Sequence, residues 1–87
     1  MSKVETLSLP ARVDATAAAR LHGQLRGELP GAIDFAGVQD IDSAGLALVV
    51  ELAERARSRG FVCTLSNVTP RFAQLCAAHR VDKELLG

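Results

Sequence analysis

The order of apolar and polar positions predicts three strands that alternate with three helices. Strands are expected at residues 4–9, where apolar and polar side chains alternate, and at the short apolar runs 32–36 and 61–65. Apolar residues at helical spacing follow each strand, in residues 15–26, 43–58 and 70–79. The connections are short, as in crossover units, so the pattern is typical of an α/β fold with a mainly parallel sheet.

Residues at the predicted helix starts support this assignment. Asp14 and Thr69 stand where N-caps belong, and Pro70 suits the first helical position. A last half-turn capped by Asp82 is expected to carry Leu85 and Leu86. With no repeat, linker or low-complexity stretch, the 87 residues are predicted to form a single domain, 1–87.

The middle of the chain carries a polar turn that leads directly into the longest predicted helix. We expect Ser43 to be the N-cap of this helix, with its hydroxyl oxygen accepting a hydrogen bond from a backbone N–H one turn ahead. A side chain in that position faces solvent at the positive end of the helix dipole. The turn at Asp42 and Ser43 is therefore the first candidate for a functional surface.

A helical wheel divides the long helix into two faces. The face expected to pack on the sheet holds Leu46, Val49, Val50, Ala53 and Ala56. Near Ser43 the opposite face carries Ala44, Ala47 and Leu48, which are not required for packing on the sheet. A helix rich in alanine with one exposed leucine needs no special explanation. The alternative is a protein-binding surface.

Composition excludes several classes of partner. Ten basic and ten acidic residues give no net charge, and the chain has three Phe but no Tyr or Trp, so nothing indicates nucleic-acid binding. No signal peptide precedes the first strand, and no apolar run reaches the roughly 20 residues of a membrane span. We expect a cytoplasmic protein. Cys63 and Cys76 lie at apolar positions without ligand spacing and are expected to be reduced and buried.

The sequence lacks the combinations of residues that catalysis would require. Neither His22 nor His79 adjoins a nucleophile motif, and no glycine-rich phosphate loop is present. Asp34, Asp40 and Asp42 do not have the spacing of a calcium loop, so no metal site is expected. The prediction is a protein that is not an enzyme and needs no cofactor. Ser43 could instead accept a phosphate, which would bring about −1.5 to −2 charges onto the surface.

Two motifs resemble the signature of STAS domains, the fold of sulphate transporters and anti-sigma-factor antagonists. They are the segments Asp34-Phe35-Ala36-Gly37-Val38 and Ile41-Asp42-Ser43-Ala44-Gly45-Leu46. Arg12-Val13-Asp14-Ala15 is similar to that family's approach to its first helix. The resemblance covers nearly the whole chain and implies a small mixed, mainly parallel sheet of about four strands with three to four helices. It also implies an N-terminal strand that is antiparallel or at an edge.

The resemblance implies two functions. The short chain and the continuation after Gly45 are similar to the small STAS subunits of Mla phospholipid transporters, which bind the ATPase of an ABC complex and support its activity. Those subunits carry Thr at the position of Ser43. Such a protein would associate with the membrane through the transporter complex without inserting into it. The alternative is an anti-sigma-factor antagonist that is switched by a partner kinase through phosphorylation of Ser43. Either function would place the binding surface at Asp14, Asp40, Asp42, Ser43, Ala44, Gly45, Ala47 and Leu48.

The N-terminus departs from the family pattern. Many STAS domains begin with two strands, whereas a single strand at residues 4–9 is predicted to precede the first helix here.

Overall fold

A computed structural model describes residues 5–81 of the chain. Five short strands and three helices follow one another along it. The strands are β1 Thr6–Ser8, β2 Arg12–Val13, β3 Ala32–Asp34, β4 Asp40–Ile41 and β5 Thr64–Ser66; the helices are α1 Ala15–Leu25, α2 Ser43–Ser58 and α3 Pro70–Ala78. The predicted α/β class is confirmed, as is the extent of α2. The C-terminal half-turn predicted around Asp82, Leu85 and Leu86 lies outside the described residues.

Every strand pair in the described part of the chain is parallel. One sheet has the order β1-β3-β5, and its register places Leu7 and Leu65 on either side of Ile33. β1 lies at the edge of this sheet, as the family resemblance implied, but it runs parallel and not antiparallel to its neighbour. β3 is central and pairs with a strand on both sides along its length.

A second parallel pair, β2 with β4, was not predicted from the sequence. The register pairs Arg12 with Asp40 and Val13 with Ile41. Strands of two residues are too short to show an alternating pattern, which is why the pattern suggested only one strand before α1. These two strands lead directly into α1 and α2, so they fix where both helices begin.

Hydrogen bonds at the helix starts and strand ends explain the other boundaries. The Asp14 carboxylate accepts a bond from the N–H of Ala17 at 2.9 Å, and the Thr69 hydroxyl accepts one from the N–H of Phe72 at 3.2 Å. Both predicted caps are therefore confirmed. β3 ends at Asp34, two residues earlier than predicted, because its side chain accepts a bond from the N–H of Ala36 and folds the chain into a turn.

The core lies between the sheet and the helices. The ring centroids of Phe35, which directly follows β3, and of Phe72 in α3 lie 4.7 Å apart. Cys63 is buried and Cys76 is half-buried, both are free thiols, and burial raises the pKa of each above its usual value. The thiols therefore stay protonated and act as small apolar side chains. The largest fully buried side chains are Phe35, Phe72, Ile33, Ile41, Leu52, Val13, Val49, Pro30 and Cys63.

Candidate functional site

The β2–β4 pair brings the first turns of α1 and α2 together. Because Val13 pairs with Ile41, the next residue on each strand, Asp14 and Asp42, begins its helix at the same level. The two helices run side by side in the same direction, and the side chains of His22 and Glu51 meet across them at 3.3 Å. The two predicted site residues Asp14 and Asp42 thus lie at one common edge.

Asp42, not Ser43, is the N-cap of α2. Its Oδ1 accepts hydrogen bonds from the N–H groups of Ala44 at 2.9 Å and Gly45 at 3.2 Å, from an extended backbone. Ser43 is the first helical residue and is exposed, and its hydroxyl bonds to no other residue in the described part of the chain. The sequence prediction of the cap was wrong by one residue, because aspartate and serine cap equally well and stand next to each other. The Ser43 hydroxyl therefore takes no part in capping α2.

Substitutions at Asp42 and Ser43 should show which of the two residues caps α2. We expect Asp42→Ala to lower the free energy of unfolding by about 1 kcal/mol, because two N–H groups lose their acceptor. That corresponds to a melting temperature lower by about 4–8 °C for a domain of this size. Ser43→Ala should change it by less than about 0.5 kcal/mol. Thermal unfolding followed by circular dichroism measures both, and a larger loss for Ser43→Ala would contradict the assignment of the cap.

Gly45 lets α2 approach β2 closely. A Cβ atom at this position would lie 2.5 Å from the backbone oxygen of Val13 and 2.7 Å from Cγ1 of Ile41. Gly45 is buried, so its predicted place on the partner-binding surface is corrected: it supports that surface from beneath. Nothing in the sequence indicated this role, since by itself a glycine in a helix shows only a loss of helix propensity.

Leu48 is also buried, with 4 % of its surface exposed, contrary to the prediction of an exposed side chain. The helical wheel considered only the sheet, whereas α2 packs on α1 as well. Leu48 forms the floor of a shallow groove of about 480 Å³ between the two helices. Ala47 is exposed and Ala44 is half-buried, so these two predicted surface residues are accessible. The groove is lined by Ala18, Ala19, His22, Ala44, Ala47, Leu48, Glu51 and Arg55.

Charged side chains close the far end of the groove. Glu51 accepts from Arg55, one turn away on α2, at 3.1 Å and lies 3.3 Å from Nε2 of His22. All three are partly exposed, so each contact contributes only a few tenths of a kcal/mol. Sequence reasoning missed Ala18, Ala19 and His22 as groove residues. The i, i+4 spacing of Ala18 and His22 and the i, i+3 spacing of Ala19 and His22 on α1 were visible, but their match to the face of α2 depends on the pairing of β2 with β4.

The predicted site residue Asp40 and the carboxylate of Asp34, which was considered only as a metal ligand, lie apart from each other. Asp40 is exposed on β4 beside the entrance to α2. Asp34 lies in the other sheet, where it accepts from the side-chain amide of Asn67 at 2.9 Å and from the hydroxyl of Ser66 at 3.5 Å. Within residues 5–81 no three His, Cys, Asp or Glu side chains come together as metal ligands would.

The hydrogen bonds at Asp34 should make the stability of the fold depend on pH. The Asn67 amide first, then the Ala36 N–H and the Ser66 hydroxyl, hold the pKa of Asp34 below its ordinary value of 3.8. Because the folded-state pKa is lowered, the stabilisation is complete above pH 3.8 and is lost as the pH falls through the lower folded-state value. Urea unfolding between pH 5 and 2 should show less acid sensitivity for Asp34→Asn than for the wild type. If the free energy of unfolding falls equally steeply with pH in both proteins, the stabilising role of these bonds is contradicted.

Comparison with known proteins adds to this geometry. The described residues contain no helix that is long and apolar enough to cross a membrane. The family model described as Mlab, STAS domain matches residues 2–87. The search of curated proteins gives no significant match. The match spans the whole described fold, from β1 through α3, including the turn at Asp42 and Ser43. The chain therefore belongs to this family of STAS domains.

Proposed function

We propose that this protein is a non-enzymatic STAS subunit that binds the cytoplasmic ATPase of an ABC-type phospholipid transporter and supports its assembly or activity. The observation that carries the proposal is the accessible surface beside Ser43. Ala44 and Ala47 stand above Leu48 in a groove that the fold does not fill, next to a serine that the fold does not need. The match to the Mlab type of STAS domain supports a transporter partner. The protein would then reside in the cytoplasm at the membrane-bound complex.

The side chains of the site support a binding role over a catalytic one. In the described part of the chain no hydrogen bond joins Ser43 to either histidine, and Nε2 of His22 is held against Glu51. The Asp42 carboxylate is occupied by two backbone N–H groups. Among the described residues Ser43 thus has no neighbouring base to activate it as a nucleophile, and Asp42 is not available to act as a base. The two residues therefore do not form a catalytic site.

The proposal is tested by co-expression with the ABC ATPase encoded nearest to the gene. The tagged protein should retain the ATPase through affinity purification and size-exclusion chromatography, and Ser43→Ala should retain it equally. Loss of the ATPase during purification of the wild-type protein would refute the transporter assignment.

A second candidate, a phosphorylation-switched antagonist of an anti-sigma factor, is favoured by one observation. Because Asp42 caps α2, the Ser43 hydroxyl is exposed and free to accept a phosphate without loss of the cap. Incubation with the partner kinase and ATP should add one phosphate, detected as a mass increase that Ser43→Ala abolishes. An unchanged intact mass would exclude the switch.

A further inference from the structure

Strand β5 forms an open edge of the three-stranded sheet in the part of the chain that the structure describes. The order β1-β3-β5 leaves β5 paired on one side only, with β3. The N–H of Thr64 donates to the oxygen of Gly31, and the oxygen of Ser66 accepts from the N–H of Phe35, each at 3.0 Å. Because main-chain groups alternate in direction along a strand, the N–H and C=O of Leu65 point away from β3, to the open edge.

The segment that contains this edge is uncharged and exposes apolar side chains. Residues 61–69 hold no charged residue and no proline, the residues with which natural edge strands prevent further pairing. Among the described residues Val62 and Val68 are the exposed large apolar side chains, at 61 % and 43 % exposure. The opposite edge, β1, is flanked by the charge of Glu5 and by Pro10. β5 is therefore the edge that is better suited to pair with a further strand.

The edge is complementary to a second copy of itself. An antiparallel pairing of two β5 strands about a two-fold axis at Leu65 places this residue opposite its own copy, with two N–H···O=C bonds between them. Thr64 then faces Ser66 of the second copy, and the Val62 end of one strand meets the Val68 end of the other. Because residues 61–69 are uncharged and the whole chain has ten acidic and ten basic residues, no like charges face each other across this pairing.

We propose that β5 is a self-association edge, at which two copies of this protein join their sheets into one sheet with the order β1-β3-β5-β5-β3-β1. The inference goes beyond the proposed function, since no residue that lines the α1–α2 groove lies in residues 61–69. The dimer therefore presents two grooves. β5 has three residues, so the contact is small and the dimer is weak, with a dissociation constant of about 0.1–1 mM.

Sedimentation velocity of the full chain tests the association. Between about 10 µM and about 1 mM the mean sedimentation coefficient should rise from that of a monomer towards that of a dimer. Val62→Lys places like charges at the paired edges and should weaken the dimer at least about 10-fold. Thr6→Lys, an exposed position on β1, adds the same charge at the opposite edge and should dimerise as the wild type does. A wild-type monomer at every concentration, or equal loss for both variants, overturns the inference.

Disulfide trapping tests the antiparallel register. Thr64→Cys and Ser66→Cys, both at exposed positions, are mixed and mildly oxidised. The mixed disulfide should exceed either homodimer, because the two positions face each other with Cα atoms about 4.5 Å apart, within the range of a disulfide. The wild type, whose thiols are buried and half-buried, shows the background. Homodimers in equal or greater amount overturn the pairing about Leu65.

Purification of the ATPase complex keeps this inference separate from the proposed function. Val62→Lys should retain the ATPase as the wild type does, because Val62 lies outside the groove. Loss of the ATPase from this variant would assign the β5 edge to the ATPase and overturn self-association, while the transporter assignment stands.

Discussion

Gly45→Ala should destabilise the protein by about 2 kcal/mol, although alanine is the better helix former. The new Cβ would meet the backbone oxygen of Val13 at 2.5 Å and two side-chain carbons within 2.9 Å. A backbone group cannot rotate away, so overpacking costs up to about 3 kcal/mol, offset by about 1 kcal/mol from helix propensity. The expected result is a lower urea midpoint with an unchanged m-value.

Gly23→Ala is the matched control for this prediction. Gly23 lies in α1 and is exposed, and a Cβ atom added there would have no neighbouring heavy atom within 4 Å. The same substitution should there raise the free energy of unfolding by about 0.5–1 kcal/mol. If both variants gain stability, α2 does not approach β2 as closely as described, and the position of Asp42 and Ser43 over the strand pair is wrong.

Ala47→Glu should weaken binding of the ATPase roughly 100-fold without unfolding the protein. Ala47 is exposed, so the free protein accommodates the longer side chain, at a cost of at most about 0.5 kcal/mol for repulsion from Glu51 one turn away. In the complex the new carboxylate would be buried against an apolar partner surface. A penalty of about 3 kcal/mol corresponds to roughly 100-fold weaker binding, measurable by biolayer interferometry with the purified ATPase.

The control for Ala47→Glu is Ala73→Glu, which makes the same change at an exposed position on α3. It should bind the ATPase with wild-type affinity. Leu48 is not a suitable probe of the surface, because truncating this buried side chain should cost about 2–5 kcal/mol of stability. Equal loss of binding for both glutamate substitutions would move the docking site away from the groove.

Local signals in the sequence were sufficient to predict the helices. The bounds of α2 and the caps Asp14 and Thr69 follow from periodicity and from side chains that bond to N–H groups within one turn. The fold class and the family resemblance followed from the same local patterns. The β2–β4 pair could not be predicted, because a strand of two residues can be identified only once the strand that it pairs with is known.

The candidate site depended more heavily on tertiary structure. Ala47 is exposed as predicted and Ala44 is half-buried, but burial of Leu48 required knowing that α1 covers a second face of α2. The choice between Asp42 and Ser43 as the cap is set by where β4 ends. The sequence placed Gly45 on the binding surface, and only the close approach to Val13 shows that it supports that surface from beneath.

The most direct test of the docking surface is the methyl NMR spectrum of the alanine-labelled protein with and without the ATPase. The groove displays the methyl groups of Ala18, Ala19, Ala44 and Ala47, while Ala73, Ala77 and Ala78 report on α3. Addition of the ATPase should shift or broaden the four groove signals and leave those of α3 in place. Shifts confined to α3, with the groove signals unchanged, would contradict the account.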